Sequence, residues 1–200
     1  GFKTKFFANV SHELRTPLAL ILGPVDQLLK ENSQLEARER FRLTAIKRNA
    51  QSLLHQVNDL LDLARIDALQ MPMAYVCANV IALLRDVMAT FAAAAEEKSI
   101  TLLIEGPSEL YADIDRAKLA RVMANLVSNA FKFTPVGGRI CCSITRVANR
   151  RFLLSVQDTG PGVPSQMKDH IFSRFTQGQD GLSGGGSGLG LNIVKEFVEL

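Results

Sequence analysis

Hydrophobic residues in the first third of the chain recur at alternating spacings of three and four. Phe7, Val10, Leu14, Pro17, Ile21, Pro24 and Leu28 form one stripe, widened by Leu18, Leu22, Val25 and Leu29. Leu43, Ile46, Ala50, Leu53, Val57, Leu60 and Ala64 form a second, widened by Leu54 and Leu61. This is heptad spacing, and it predicts two amphipathic helices of about 25 residues each. The polar run from Glu31 to Glu36, with Asn32 and Ser33, supplies the turn of a hairpin. One pairing of two helices cannot bury stripes this wide, whereas two copies of the hairpin can close a four-helix bundle. The expectation is a homodimer through residues 1–66; the plainer alternative is a monomer whose hairpin packs on its own C-terminal domain.

The period breaks between Asp67 and Pro72, which reads as a linker, residues 67–72. Beyond it the pattern becomes mixed α and β. Asn79 can cap a helix reaching about Lys98, and Asp115 can cap another reaching about Phe131. Ile100 to Glu105 alternates like a strand. Gly138 to Thr145 and Phe152 to Asp158 read as two strands joined by a polar turn at Asn149-Arg150. A glycine-rich segment from Gly178 to Gly190 follows, and then a helix begins. The fold class expected is α then α/β: a helical hairpin over residues 1–66 and an α/β domain over 73–200.

The 200 residues allow one large domain or two small ones. With 47% hydrophobic and 22% charged residues, a packed core is possible and wholesale disorder is not expected. A net charge of +3 without a long basic run argues against nucleic acid as a partner; Arg146 to Arg151 reads as a polar turn. Cys77, Cys141 and Cys142 have neither a CxxC partner nor metal-spaced histidines, so they read as buried reduced thiols in a cytoplasmic setting. Cys141 and Cys142, adjacent in a strand, point to opposite faces. No apolar run approaches the roughly 20 residues that span a bilayer, so no membrane contact is expected of this stretch. Because it opens on Gly-Phe-Lys, the sequence reads as a piece of a longer protein that could be membrane-bound elsewhere.

The chemistry begins at Phe6-Phe7-Ala8-Asn9-Val10-Ser11-His12-Glu13-Leu14-Arg15-Thr16-Pro17-Leu18. With Phe7 at heptad position a, His12 falls at f, on the outer surface. Glu13 is adjacent, Thr16 lies one turn on, and Pro17 cannot donate to the helix ladder, so a kink is expected beside His12. An exposed imidazole beside a carboxylate is a candidate nucleophile with an orienting partner; a bare surface histidine is the alternative. The string resembles the H-box of sensor histidine kinases, Ser-His-Glu-Leu-Arg-Thr-Pro-Leu, at every position. The resemblance implies that His12 is the phospho-acceptor, that Glu13 polarises its imidazole, and that Thr16 orients a water for dephosphorylation of a response regulator.

Four further blocks follow in that family's order. On a helix, Asn125 and Asn129 share one face with Lys132 close to it, among apolar flanks that make polar residues need a reason. Amide oxygens suit Mg²⁺ and a lysine can neutralise phosphate. The stretch is similar to the N-box, which implies Asn129 as the Mg²⁺ ligand, Asn125 and Lys132 near the phosphates, and Phe133 beside the base or ribose. Asp158-Thr159-Gly160-Pro161-Gly162, directly after a strand, is either a plain turn or a close approach to a ligand. It resembles the G1 box, which implies that Asp158 reads adenine, with Gly160 and Gly162 in the turn. Ile171-Phe172-Ser173-Arg174-Phe175 reads physically as helix core; its resemblance to the F-box adds a hinge role and places Phe175 at the nucleotide. Gly184 to Leu191 is neither a Walker loop nor a dinucleotide fingerprint. A flexible linker is the plain alternative. Its Gly186-Ser-Gly188-Leu189-Gly190-Leu191 resembles the G2 box, where glycines and a helix N-terminus approach phosphate.

The resemblance implies an ATP- and Mg²⁺-dependent protein histidine kinase of a two-component system. Its nucleotide domain would be the α/β sandwich shared with gyrase-type ATPases, Hsp90 and MutL, truncated at its C-terminus because strands normally follow the last helix. The implied partner is a response regulator receiver domain, with possible phosphatase action on it. Two rivals remain open at this stage: a clamp-type ATPase that hydrolyses ATP without phosphorylating itself, and a non-catalytic dimerisation scaffold.

Overall fold

The computed structural model describes residues 2–31, 35–68, 71–148, 151–176 and 188–200, with residues 2–13 described by backbone alone. The chain divides into two units, Gly1–Met71 and Pro72–Leu200.

The first unit is the expected hairpin. Helix α1 (Phe2–Glu31) runs unbroken through Pro17 and Pro24, and α2 (Ala37–Asp67) returns beside it. At the start of α2 the Glu36 N–H donates to Glu39 Oε2 at 3.2 Å, which occupies a donor the helix cannot satisfy. Leu18 and Val25 on α1 are buried, as are Ala50, Val57 and Leu61 on α2. Arg15 Nη2 donates to Asn58 Oδ1 at 2.7 Å, and Lys47 Nζ lies 2.6 Å from Asp26 Oδ1. Only part of each stripe is covered within the hairpin. Leu14, Ile21 and Leu28, and likewise Ile46, Leu53 and Leu60, stay between 40% and 47% exposed. Each trio recurs at seven-residue intervals, which is a seam without an occupant in a single chain.

The second unit is α/β. Strand β1 (Tyr75–Asn79) precedes α3 (Val80–Ala89), α4 (Ala92–Glu97), β2 (Thr101–Glu105) and β3 (Tyr111–Asp115). Then come α5 (Arg116–Phe133), β4 (Arg139–Val147), β5 (Arg151–Asp158) and α6 (Gly190–Glu199). β1 pairs antiparallel with β3; β4 lies between β2, parallel to it, and β5, antiparallel to it. Alternate residues of β4, Ile140, Cys142 and Ile144, are fully buried. They share one core with Val80, Ile81 and Leu84 of α3 and Met123, Val127 and Phe131 of α5. This is a sheet covered on one face by helices.

Several expectations change here. β1 and β3 were not legible: β1 sits where the linker was expected to give way to a helix, and each ends on the residue that caps the following helix, Asn79 or Asp115. The helix expected from Asn79 to Lys98 is two helices. Asn79 does cap it, Oδ1 accepting from the N–H of Ile81 and of Ala82 at 3.1 and 3.3 Å. It ends near Thr90, whose hydroxyl donates to the Val87 carbonyl at 2.7 Å. Cys77 is exposed, not buried, because it lies on the outer side of the two-stranded sheet. Cys142 is buried and Cys141 half-buried, and burial first of all raises both thiols, that of Cys142 to about 11. The turn at Asn149-Arg150 lies outside the described residues.

The N-terminus of α5 is fixed by a buried ion pair. Asp115, 5% exposed, accepts from the Lys118 N–H at 3.1 Å, the Ala74 N–H at 3.0 Å and Lys118 Nζ. Lys118 Nζ also donates to the Pro72 carbonyl at 2.8 Å, tying residues 72–74 to the helix. Burial works to raise the Asp115 carboxyl, but these hydrogen bonds and the Lys118 charge outweigh it and hold the pKa near about 2 against an ordinary 3.8. A folded-state pKa below the ordinary one stabilises the fold above about pH 4, and that contribution is lost as pH falls toward 2. Denaturant melts of the parent chain and of Asp115→Asn should therefore show a stability gap that shrinks between pH 4 and pH 2; a gap constant across that window contradicts the assignment.

Candidate functional site

Helix α5 commits Met123, Val127, Ala130 and Phe131 to the core shared with the sheet. Those positions occupy one side of a 3.6-residue helix, so Asn125, Asn129 and Lys132 are turned to the other. Asn125 and Asn129 are half-buried and Lys132 is exposed. Asn125 Nδ2 donates to the Gly190 carbonyl at 3.3 Å, which leaves its Oδ1 as the atom able to face a ligand. Asn129 makes no side-chain hydrogen bond among the described residues. The Lys132 ammonium stands 5.1 Å from the ring centroid of Phe133, itself about half exposed.

A glycine turn meets the C-terminal end of α5. β5 ends at Asp158, whose Oδ1 accepts from the Gly160 N–H at 2.8 Å, an Asx-type turn that fixes one carboxylate oxygen and leaves the other for a ligand. A Cβ on Gly160 would lie 2.7 Å from Asp158 Oδ1 and 2.8 Å from the Phe133 carbonyl oxygen. Gly160 is thus what allows Asp158 to stand beside the end of α5. Thr159 locks the turn to β4: its N–H donates to the Arg139 carbonyl at 3.1 Å, and Arg139 N–H donates to its hydroxyl at 2.9 Å. Gly162 takes a left-handed φ of 75°.

A second glycine turn leads into α6. Gly188 is left-handed at φ 70°, and a Cβ there would lie 2.8 Å from the Phe175 carbonyl carbon and 2.9 Å from the Thr176 carbonyl oxygen. Gly190, the first residue of α6, faces Asn125, where a Cβ would find only ordinary contact at 3.8 Å. The three described regions around Asn125–Phe133, Asp158–Gly162 and Gly188–Gly190 therefore meet on the outward face of α5. Gly186 lies outside the described residues.

Two expectations are corrected. The segment Ile171 to Phe175 is not helix core: it is a run of turns held by bonds from Ser173 N–H to the His170 carbonyl and from His170 N–H to the Met167 carbonyl, with Phe172 and Phe175 exposed. These i−3 bonds do not build an α-helix. Phe175 is itself left-handed at φ 61°, unusual for a bulky residue. Leu189 is 1% exposed, so its side chain belongs to the core and only its backbone can face a ligand. Sequence reasoning also passed over Asn192, 5% exposed on the apolar side of α6, which donates to the Phe172 carbonyl at 2.9 Å. A polar residue inside the apolar run from Leu189 to Val194 was the available signal.

In the first unit, His12 and Glu13 lie on α1, and their side chains fall outside the described residues. Thr16, on the same helix, is exposed. Among the described residues no group of three or more His, Cys, Asp and Glu side chains could hold a metal ion. A single amide oxygen at Asn129 fits a different donor set, that of a Mg²⁺ whose other ligands are phosphates and waters.

The two glycine positions separate on steric grounds. Gly188→Ala must place a Cβ at left-handed φ against backbone and should cost about 1–2 kcal/mol, whereas Gly190→Ala should leave stability within about 0.5 kcal/mol. Thermal unfolding of the two variants checks this; equal melting temperatures would contradict it.

Residues 2–69 match the His Kinase A phospho-acceptor domain, and residues 114–200 match the histidine kinase-, DNA gyrase B- and HSP90-like ATPase domain. The chain is 48% identical over 200 residues to the sensor histidine kinase TmoS of Ectopseudomonas mendocina, covering 99% of the chain and 21% of TmoS. It is 48% identical over 206 residues to hybrid signal transduction histidine kinase D of Dictyostelium discoideum, covering 99% of the chain and 13% of that protein. The chain thus spans about a fifth or less of the length of these relatives. Among solved structures, full-length ShkA in complex with AMPPNP superposes with a TM-score of 0.78 at 33% identity, over 98% of this chain and 40% of ShkA. The catalytic domain of histidine kinase ThkA superposes at 0.58 and 29% identity, over 64% of this chain and 81% of that domain. No helix among the described residues is long and apolar enough to cross a membrane. With a phospho-acceptor hairpin followed by an ATPase-type α/β unit, the chain belongs to the sensor histidine kinases.

Proposed function

We propose that this chain is an ATP-dependent protein histidine autokinase that phosphorylates its own His12 and passes the phosphoryl group to an aspartate of a response regulator. The observation that carries the reading is the convergence on α5. Asn125, Asn129 and Lys132 share its outward face, the Asp158–Gly160 turn abuts its last residue, and Asn125 holds the first residue of α6. That face offers, within one patch, a carboxylate oxygen for an adenine amino group, amide oxygens for a metal, a lysine for phosphate and glycines for close backbone approach.

The residues have separate tasks in this reading. Asp158, with one oxygen fixed by Gly160 N–H, accepts from the adenine amino group through the other. Phe133 lies beside the base or ribose. Lys132 neutralises phosphate charge, and the backbone around Gly188 to Gly190 approaches the phosphate chain at the N-terminus of α6. Asn129, supported by Asn125, would hold Mg²⁺, which when bound supplies charge neutralisation to the phosphates. On α1, His12 attacks the γ-phosphorus through a ring nitrogen as the bond from that phosphorus to the bridging oxygen breaks and ADP leaves; Glu13 accepts from the other nitrogen and keeps the attacking one basic. Thr16 orients water for the reverse traffic, dephosphorylation of the regulator.

We also infer a homodimer through residues 1–66. Support comes from the two heptad-spaced trios, Leu14, Ile21 and Leu28 with Ile46, Leu53 and Leu60, which the hairpin alone leaves half exposed. A second hairpin offering the same trios would bury them as a four-helix bundle. Replacing Leu53 and Leu60 together by Glu should convert a dimer to a monomer in light scattering; an unchanged mass would count against this interface.

The direct test is incubation with Mg²⁺ and ATP radiolabelled at the γ-phosphate. Label that survives alkali, is lost in acid and is absent from His12→Gln, with nucleotide affinity retained in that variant, is the expected result. Steady phosphate release without labelled protein would instead favour hydrolysis alone, and label retained by His12→Gln would remove His12 from its role.

A further inference from the structure

We infer that Asn192 is a positioning residue for the nucleotide. It locks the turn Phe172–Thr176 to the start of α6, and thereby sets where Gly188 and Gly190 stand relative to Asn125 and Asn129. The inference rests on the nucleotide-binding reading above.

Asn192 sits on the buried side of α6 with Ile193, Val194 and Phe197. Its Nδ2 donates to the Phe172 carbonyl at 2.9 Å, while its Oδ1 is buried and meets no hydrogen-bond donor among the described residues. An amide half satisfied in a core adds little to stability alone, because the bond it makes is offset by the acceptor it leaves buried and unpaired. What the amide provides and a leucine cannot is a directed grip on one backbone carbonyl. That carbonyl belongs to the turn that reaches Phe175 and Thr176, and it is against their backbone that Gly188 is packed.

The grip does not act by itself. Arg174 Nη2 lies 3.6 Å from Glu196 Oε1, a second tie between the same turn and α6. On the opposite side, Asn125 Nδ2 holds the Gly190 carbonyl at 3.3 Å. The first turn of α6 is therefore bracketed by two amides: Asn125 joins it to α5, and Asn192 joins it to the Phe172–Thr176 turn. Between them Phe175 and Gly188, both left-handed, are pressed together, at φ 61° and 70°. Glycine adopts that conformation freely, but a residue such as Phe175 stays in it only where its surroundings hold it. Of the two brackets, Asn192 makes its bond from a nearly water-free position, where a hydrogen bond is least replaceable by solvent.

The experiment pairs thermal unfolding with calorimetric titration of the full chain by AMPPNP in the presence of Mg²⁺. Asn192→Leu and Asn192→Ser are compared with the parent. A core-only role changes the stability of Asn192→Leu and leaves its affinity unchanged. The positioning role raises Kd about tenfold, the scale of one lost hydrogen bond, whatever the change in stability. The Ser variant, too short to reach Phe172, should lose affinity by a similar factor and covers the case in which the Leu variant does not fold. Kd within twofold of the parent in either folded variant overturns the inference, as does failure of both variants to fold. A parent chain that binds no AMPPNP overturns the nucleotide-binding reading itself, and this inference falls with it.

Discussion

The packing of α5 against the sheet is the constraint on which the site depends, because a helix that commits one side to the core has no choice about the other. Met123 and Val127 are fully buried, and Ala130 and Phe131 nearly so, all in the core shared with the sheet. At 100° per residue this turns Asn125, Asn129 and Lys132 outward together. The Asp115–Lys118 pair then fixes where the helix begins, and its C-terminal end is met by the Asp158–Gly160 turn. Core packing, an N-cap and a glycine contact thus place the polar groups, none of which needs to hold the fold together.

Glycines at this site serve close approach more than flexibility. Gly160 lets a carboxylate and the end of a helix share a space where a methyl group would strike both. Gly188 lets the chain entering α6 lie on the backbone of Phe175 and Thr176. In both cases the space of the missing Cβ is filled by neighbouring backbone, so any side chain there would displace the turn.

Much of this was legible in the sequence, and the illegible parts have physical reasons. The hairpin could be read because three-four alternation persists over both helices, and α5 because Asp115 caps it and its apolar positions repeat. The glycine turns were visible as composition. What could not be read was contact between distant positions: that Gly160 meets Phe133, that Gly188 meets Phe175, or that Asn192 reaches Phe172. β1 and β3 were missed because each runs straight into the cap of the next helix, Asn79 or Asp115, with no turn between, and the helix break at Thr90 because it depends on a local side-chain bond. Ile171 to Phe175 misled because two aromatics three apart imitate a helix face, while its bonds are those of successive tight turns. Leu189 was assigned to the nucleotide by its place in a motif, although its side chain is committed to the core.

The proposed kinase activity stands on nucleotide binding to the outward face of α5, between the two glycine turns. Backbone amide shifts of the isotopically labelled chain, mapped during titration with Mg²⁺ and ADP, locate that binding. The largest changes should fall on Asn125–Phe133, Asp158–Gly162 and Gly188–Leu191, with β1 and β3 little affected. Changes centred on the β1–β3 sheet, or spread evenly over the chain, would contradict it.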